Sequence, residues 1–204
     1  MGLIVFDDNK ATDGLSDFLT CLSGLVRKNS FLFKNLAEKT DFSSAKYRLS
    51  KISQDNKRHS EILIEMSTRI GNSKIKTREC KRQLSIVHKT IEAVLEQILK
   101  KEIIATEDLS NFLSMLESSR GAEQYLLVQA KTLLFMSKEI NRIYGVDLKE
   151  FNTLLIHIAQ EEKEHLELIE EIKKNISQQS TNNEIRHPKI KYQNPDAWTF
   201  PPHK

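Results

Sequence analysis

Residues 147–176, DLKEFNTLLIHIAQEEKEHLELIEEIKKNI, carry the pattern that decides the fold. Phe151, Leu155, Ile158, Ile169, Ile172 and Ile176 recur at steps of four and three, the seam of a bundle helix. Glu162 and His165 occupy the seam positions between them. Residues 41–70, DFSSAKYRLSKISQDNKRHSEILIEMSTRI, repeat the arrangement without a gap, Asp41 falling on Asp147 at an offset of 106 residues. Their seam is Ala45, Leu49, Ile52, Asn56, His59, Leu63, Met66 and Ile70, so Asn56 aligns with Glu162 and His59 with His165. Polar groups inside an apolar seam are costly unless satisfied. Two such pairs in one register predict two related helix hairpins around a polar site at mid-height.

Working outward, the pattern predicts an all-α fold of long helices. The first runs from Asp13, its N-cap, to Lys39, with Leu15, Phe18, Leu19, Leu22, Leu25, Val26, Phe33 and Leu36 at helical spacing. The second runs from Ser43 to Ile70 and stops at Gly71-Asn72. An additional helix over 74–101, apolar at Leu84, Val87, Ile91, Val94, Leu95 and Ile98, covers the bundle or forms a homodimer face. The fourth runs from Thr106 to Tyr144 with a kink near Gly121, and the fifth from Asp147 to Ile176. Four core helices plus an additional one make an antiparallel bundle. All four prolines (Pro188, Pro195, Pro201 and Pro202) lie beyond residue 187. The division is therefore an N-terminal segment 1–12, a helical body 13–177 and an extended tail 178–204. The tail straps Tyr192, Trp198 and Phe200 onto the bundle or docks a partner.

Several classes fall away on composition. No run of 18 apolar residues exists, which argues against a membrane span. The N-terminus lacks the basic stretch of a signal peptide. Cys21 and Cys80 show no Cys-x-x-Cys spacing and read as small core residues in a reducing, cytoplasmic protein. A net charge of +3, from 31 basic and 28 acidic residues, is too balanced to indicate nucleic acid.

The spacing of Glu162 and His165 has chemical meaning. Residues i and i+3 share a helix face, so the pair can present an oxygen and a nitrogen to one ion. On the fourth helix, Glu123 lies at the matching distance before the turn and is the facing carboxylate; Glu117 is more than a turn further away. The first helix offers no carboxylate at that level, and Asp17 falls between the apolar positions Leu15 and Phe18. His88 and His157 have no counterpart in the repeat and read as structural. Asp55, Glu61, Glu161, Glu164 and Glu167 read as solvated helix faces.

Through Gln54-Asp-Asn-Lys-Arg-His59 and Gln160-Glu-Glu-Lys-Glu-His165, the chain resembles the ferritin-like superfamily, and within it the rubrerythrin-like proteins. As architecture the resemblance covers roughly residues 13–177. It implies a carboxylate–histidine metal site in the bundle, with metals engaged in iron oxidation, iron storage or peroxide reduction. Carried over residue by residue, it makes Glu123, Glu162, His165 and His59 the metal ligands. Asn56 stands where a ligand glutamate belongs, and no first-helix glutamate matches. Two carboxylates balance one divalent ion better than two, so the expectation is one iron or manganese ion, or none. The alternative function is a non-catalytic bundle that has lost the metal site and works by interaction.

Overall fold

The computed structural model describes residues 8–71, 73–118, 122–144 and 147–186. Among them all regular structure is helical: α1 (Asp8–Lys39), α2 (Ser43–Ile70), α3 (Thr77–Gln83), α4 (Ser85–Lys100), α5 (Thr106–Ser118), α6 (Ala122–Tyr144), a 3-10 turn (Lys149–Phe151) and α7 (Asn152–Arg186). The expected seams become the buried faces. Ala45, Leu49, Ile52, Leu63 and Met66 of α2 are buried, as are Leu155, Ile158, Ile169, Ile172 and Ile176 of α7. Each face removes apolar side chains from water, at about 25 cal/mol per Å².

The pairings across the helices fix their directions. Ser16, Ser23 and Ser30 of α1, seven residues apart, meet Ser67, Ser60 and Ser53 of α2 in turn, so α1 and α2 are antiparallel. The contacts are partly reciprocal. Ser16 Oγ donates to the Ser67 carbonyl at 3.0 Å while Ser67 Oγ donates to the Ser16 carbonyl at 2.7 Å, and Ser30 and Ser53 exchange the same bonds at 2.8 and 2.9 Å. Such small side chains let two helix backbones approach closely while satisfying their own hydroxyls. Arg48 pairs with Glu171, Lys51 with Glu164 and Arg69 with Glu150, so α2 and α7 are antiparallel as well. The α6–α7 hairpin closes the bundle, α6 lying beside α1. The buried Val87, Ile91, Val94 and Ile98 place α4 over α1, so this stripe covers the bundle.

Three boundaries differ from the sequence reading. The first helix begins at Asp8, so Asp13 lies inside it and not at its cap. The additional helix is two: Leu84 N donates to Cys80 O at 3.0 Å to end α3, and the backbone turns there before α4. The fourth is described as α5, to Ser118, and α6, from Ala122, and the expected kink near Gly121 lies outside the described residues. The last continues past Ile176 to Arg186, into the expected extended tail, because residues 177–186 contain no glycine or proline to stop it. Asp147 Oδ1 accepts from Lys149 N at 2.8 Å just ahead of the 3-10 turn, whose N-cap position is Leu148. Tyr192, Trp198 and Phe200 lie outside the described residues.

The reading of Cys21 and Cys80 as unpaired core residues is corrected. They form a disulfide between α1 and α3, with Cα atoms 5.0 Å apart. Sequence spacing hid it, because the partners lie on separate helices 59 residues apart. The argument for a reducing compartment from unpaired thiols therefore lapses. Among the described residues, no helix is long and apolar enough to cross a membrane.

Candidate metal centre

The two polar interruptions meet where the seams predicted. Glu123 of α6 and Glu162 and His165 of α7 each bring one ligand atom within 4.8 Å of the others, and all three are buried. His59 lies beside them, its ring centroid 6.0 Å from that of His165. None of Glu162, His165 and His59 has any exposed surface, and Glu123 keeps only 2%.

Each histidine is held from outside the cluster by the facing helix. His165 Nε2 lies 3.2 Å from Asp55 Oδ2 of α2, and His59 Nε2 lies 2.6 Å from Glu161 Oε2 of α7. The two carboxylates occupy equivalent places in the repeat, one residue before Asn56 and one before Glu162. The reading of Asp55 and Glu161 as solvated faces is thus corrected: they orient the site's imidazoles, as outer carboxylates do around metal-binding histidines. Arg58 bridges them, 3.1 Å from Asp55 and 2.6 Å from Glu161, and Lys51 reaches Asp55 at 3.0 Å. The signal was in the sequence, since both acids fall in register within the repeated segments.

Inside, the two histidines differ. His59 Nδ1 is hydrogen-bonded to Glu162 Oε1 at 2.8 Å, so both of its nitrogens face carboxylates. His165 Nδ1 has no hydrogen-bond partner; Glu162 Oε2, at 3.6 Å, is too far for one and is itself unpartnered. A third buried atom, Asn29 Oδ1, is likewise unsatisfied. Asn29 Nδ2 donates to Glu123 Oε1, and Asn56 Nδ2 reaches the same oxygen at 3.4 Å while donating to Ile52 O at 3.0 Å.

Asn29 was not anticipated. It interrupts the heptad Leu15, Leu22, Leu36 at its third place, and that single polar break was its only signal. Asp17, the doubtful first-helix acid, accepts from Ser73 at 2.7 Å away from the cluster, and Glu117 pairs with Lys173. His88 is buried on α4 near Glu92, and His157 is exposed.

The charges bear on what this cluster can do. Burial pushes the Glu123 carboxyl up to about 7, the Glu162 charge adding to the rise while His165 and the Asn29 amide oppose it. For His165, burial disfavours the charged ring, but Asp55 and Glu162 outweigh it and hold the imidazole up at about 9. Asp55 is resisted by burial yet kept well below the usual carboxylate range by His165 and Lys51. Two buried carboxylates and an imidazole nitrogen without a partner therefore converge, and a metal ion there would take the place of the His165 proton and pair the orphaned atoms. Comparison with protein-family models, curated proteins and solved structures finds no match to this chain.

Proposed function

We propose that the protein is a ferritin-like, rubrerythrin-like metal protein that holds one divalent transition-metal ion on Glu123, Glu162 and His165. The observation that carries this reading is the set of buried atoms without partners, Glu162 Oε2, His165 Nδ1 and Asn29 Oδ1, around the converging ligand atoms. A fully enclosed protein polar cluster normally satisfies its members; these three atoms leave donor and acceptor sites that an ion and its bound water fit. Two oxygens and one imidazole suit iron, manganese or zinc.

The order of the helices supports the resemblance. Two hairpins, α1–α2 and α6–α7, are joined by a long connection through α3, α4 and α5 and pack as four core helices. In such a site the first and second helices each owe a glutamate; here those places hold Asn29 and Asn56. A bound iron or manganese would supply one-electron chemistry toward oxygen or peroxide. The chain's own part is to hold the ligand oxygens and nitrogen, fix His165 through Asp55, and exclude bulk water. The closed surroundings admit only small species, which favours ions, oxygen or peroxide over an organic substrate.

Elemental analysis of the full chain, purified after growth with iron and with manganese, tests the proposal. About one ion per chain, lost on substituting His165, supports it. Protein free of metal after both supplements supports the non-catalytic bundle, a reading that the paired His59 favours because that half of the cluster is already satisfied.

A further inference from the structure

We infer that the Cys21–Cys80 bond is a reversible clasp, and that Cys80 is the site at which a dithiol exchanges with it. The two ends of the bond differ. Cys21 is 2% exposed on α1, whereas Cys80 is only partly buried on α3. Helix α3 has no buried residue of its own. Beyond the disulfide, its surroundings are tied down by an exposed Lys81–Glu92 pair, by Ser73 on Asp17 and by the partly buried Ile75. Covalent attachment thus holds a helix that little else holds.

The approach to Cys80 is basic. Lys74, Lys76, Arg78, Lys81 and Arg82 are all exposed, with Glu79 the single acid among residues 73–83. Such a surface draws in an anionic attacking thiolate and stabilises the thiolate released there. Burial bars the same attack at Cys21 Sγ.

The exchange balances as follows. A dithiol's thiolate attacks Cys80 Sγ, the Cys21–Cys80 bond breaks, and Cys21 leaves with the electron pair and takes a proton. The dithiol's second thiol then closes on its own sulfur, and Cys80 is released. Two electrons and two protons pass to the protein; the dithiol becomes a disulfide. The loss removes the covalent tie of α3 (residues 77–83) to α1, while Leu84 stays in the core and the four core helices keep their seams.

The test uses the oxidised full chain in native buffer with millimolar dithiothreitol, read by alkylation mass shift and by hydrogen exchange. The expected result is reduction without denaturant, with faster exchange at residues 77–83 and unchanged protection in α1, α2, α6 and α7. In single variants, Cys80 of Cys21→Ser should be alkylated at least about tenfold faster than Cys21 of Cys80→Ser. Three results overturn the inference: a bond reduced only in denaturant, loss of protection throughout the bundle on reduction, or equal reactivity of the two cysteines. Failure of metal binding leaves every one of these readouts intact, so the two proposals stand or fall separately.

Discussion

Replacing Glu162 by Gln separates a metal centre from a merely polar core. The side chain is fully buried, gives Oε1 to His59 at 2.8 Å and leaves Oε2 beside His165 without a partner. In the metal-free protein the substitution removes the charge facing both histidines. Breaking a buried ion pair from one side costs about 3–5 kcal/mol, and the lower end applies because the amide oxygen still accepts from His59. With metal present a second effect adds to it. A ligand at 100 times its dissociation constant stabilises by about 2.7 kcal/mol, which for a chain of this size raises Tm by about 5–10 °C. The assay is thermal melting of parent and Glu162→Gln, each with manganese, with ferrous iron under anaerobic conditions, and with chelator. The parent should melt higher with metal than with chelator, and the variant should melt at one lower temperature in all three. A parent indifferent to metal and chelator, with a variant destabilised equally in every condition, would refute the metal reading and leave Glu162 as a structural partner of His59.

Asn29→Glu combined with Asn56→Glu should raise metal content from about one ion per chain toward two, measured by elemental analysis; an unchanged ratio would mean that the cavity is closed to a second ion. The metal-free protein should lose stability between about pH 5 and 9. Glu123, lifted from 4.5 to about 7, favours the native state less as pH rises through that interval, and His165, lifted from 6.5 to about 9, contributes stability that is complete below 6.5 and lost through 9. Asp55, Glu162 and Glu123 face His165, and Lys51 lies behind Asp55, so the slope in chelator should flatten when manganese replaces the proton; melting against pH, with and without metal, measures it. Ser23→Leu should cost about 1–3 kcal/mol in urea unfolding, because it wedges bulk between α1 and α2, while Ser60→Ala should cost about 1 kcal/mol, since Ser23 Oγ still reaches the Ser60 carbonyl at 2.8 Å.

The helical class and the site's register were legible because both rest on periodicity. A seam with steps of four and three identifies its buried face without knowledge of its partners, and the repeat of Asn56–His59 on Glu162–His165 aligned two helices far apart in sequence. What was not legible depends on neighbours. The turn at Leu84 and the Cys21–Cys80 bond arise from how α3 reaches α1, which no local pattern encodes. Asp55 and Glu161 sit one residue off the seam, where an acid normally faces water; only the opposite histidine makes each an interior partner. Asn29 was missed for a related reason, as one polar break in a heptad acquires meaning only when Glu123 is seen against it. The serine ladder, by contrast, was fully present as heptads in both helices, and a search for repeated small polar residues would have found it.

The repeat also explains why the reading favours one ion. The outer layer keeps its twofold character, Asp55 on His165 matching Glu161 on His59. The inner layer does not. The first hairpin supplies the amides of Asn29 and Asn56, and the second supplies the carboxylates of Glu123 and Glu162. The Nδ1 atoms of the two histidines, equivalent by the repeat, follow this division: that of His165 is unpartnered, while that of His59 is bound to Glu162. The half with carboxylates thus retains an open nitrogen, and the half with amides has its nitrogen occupied. Two dications in such an interior would face two carboxylates, leaving charge uncompensated at a cost of several kcal/mol. One dication matches them. The asparagines then complete the arrangement as neutral donors, holding Glu123 in place without adding the negative charge that a second ion would require.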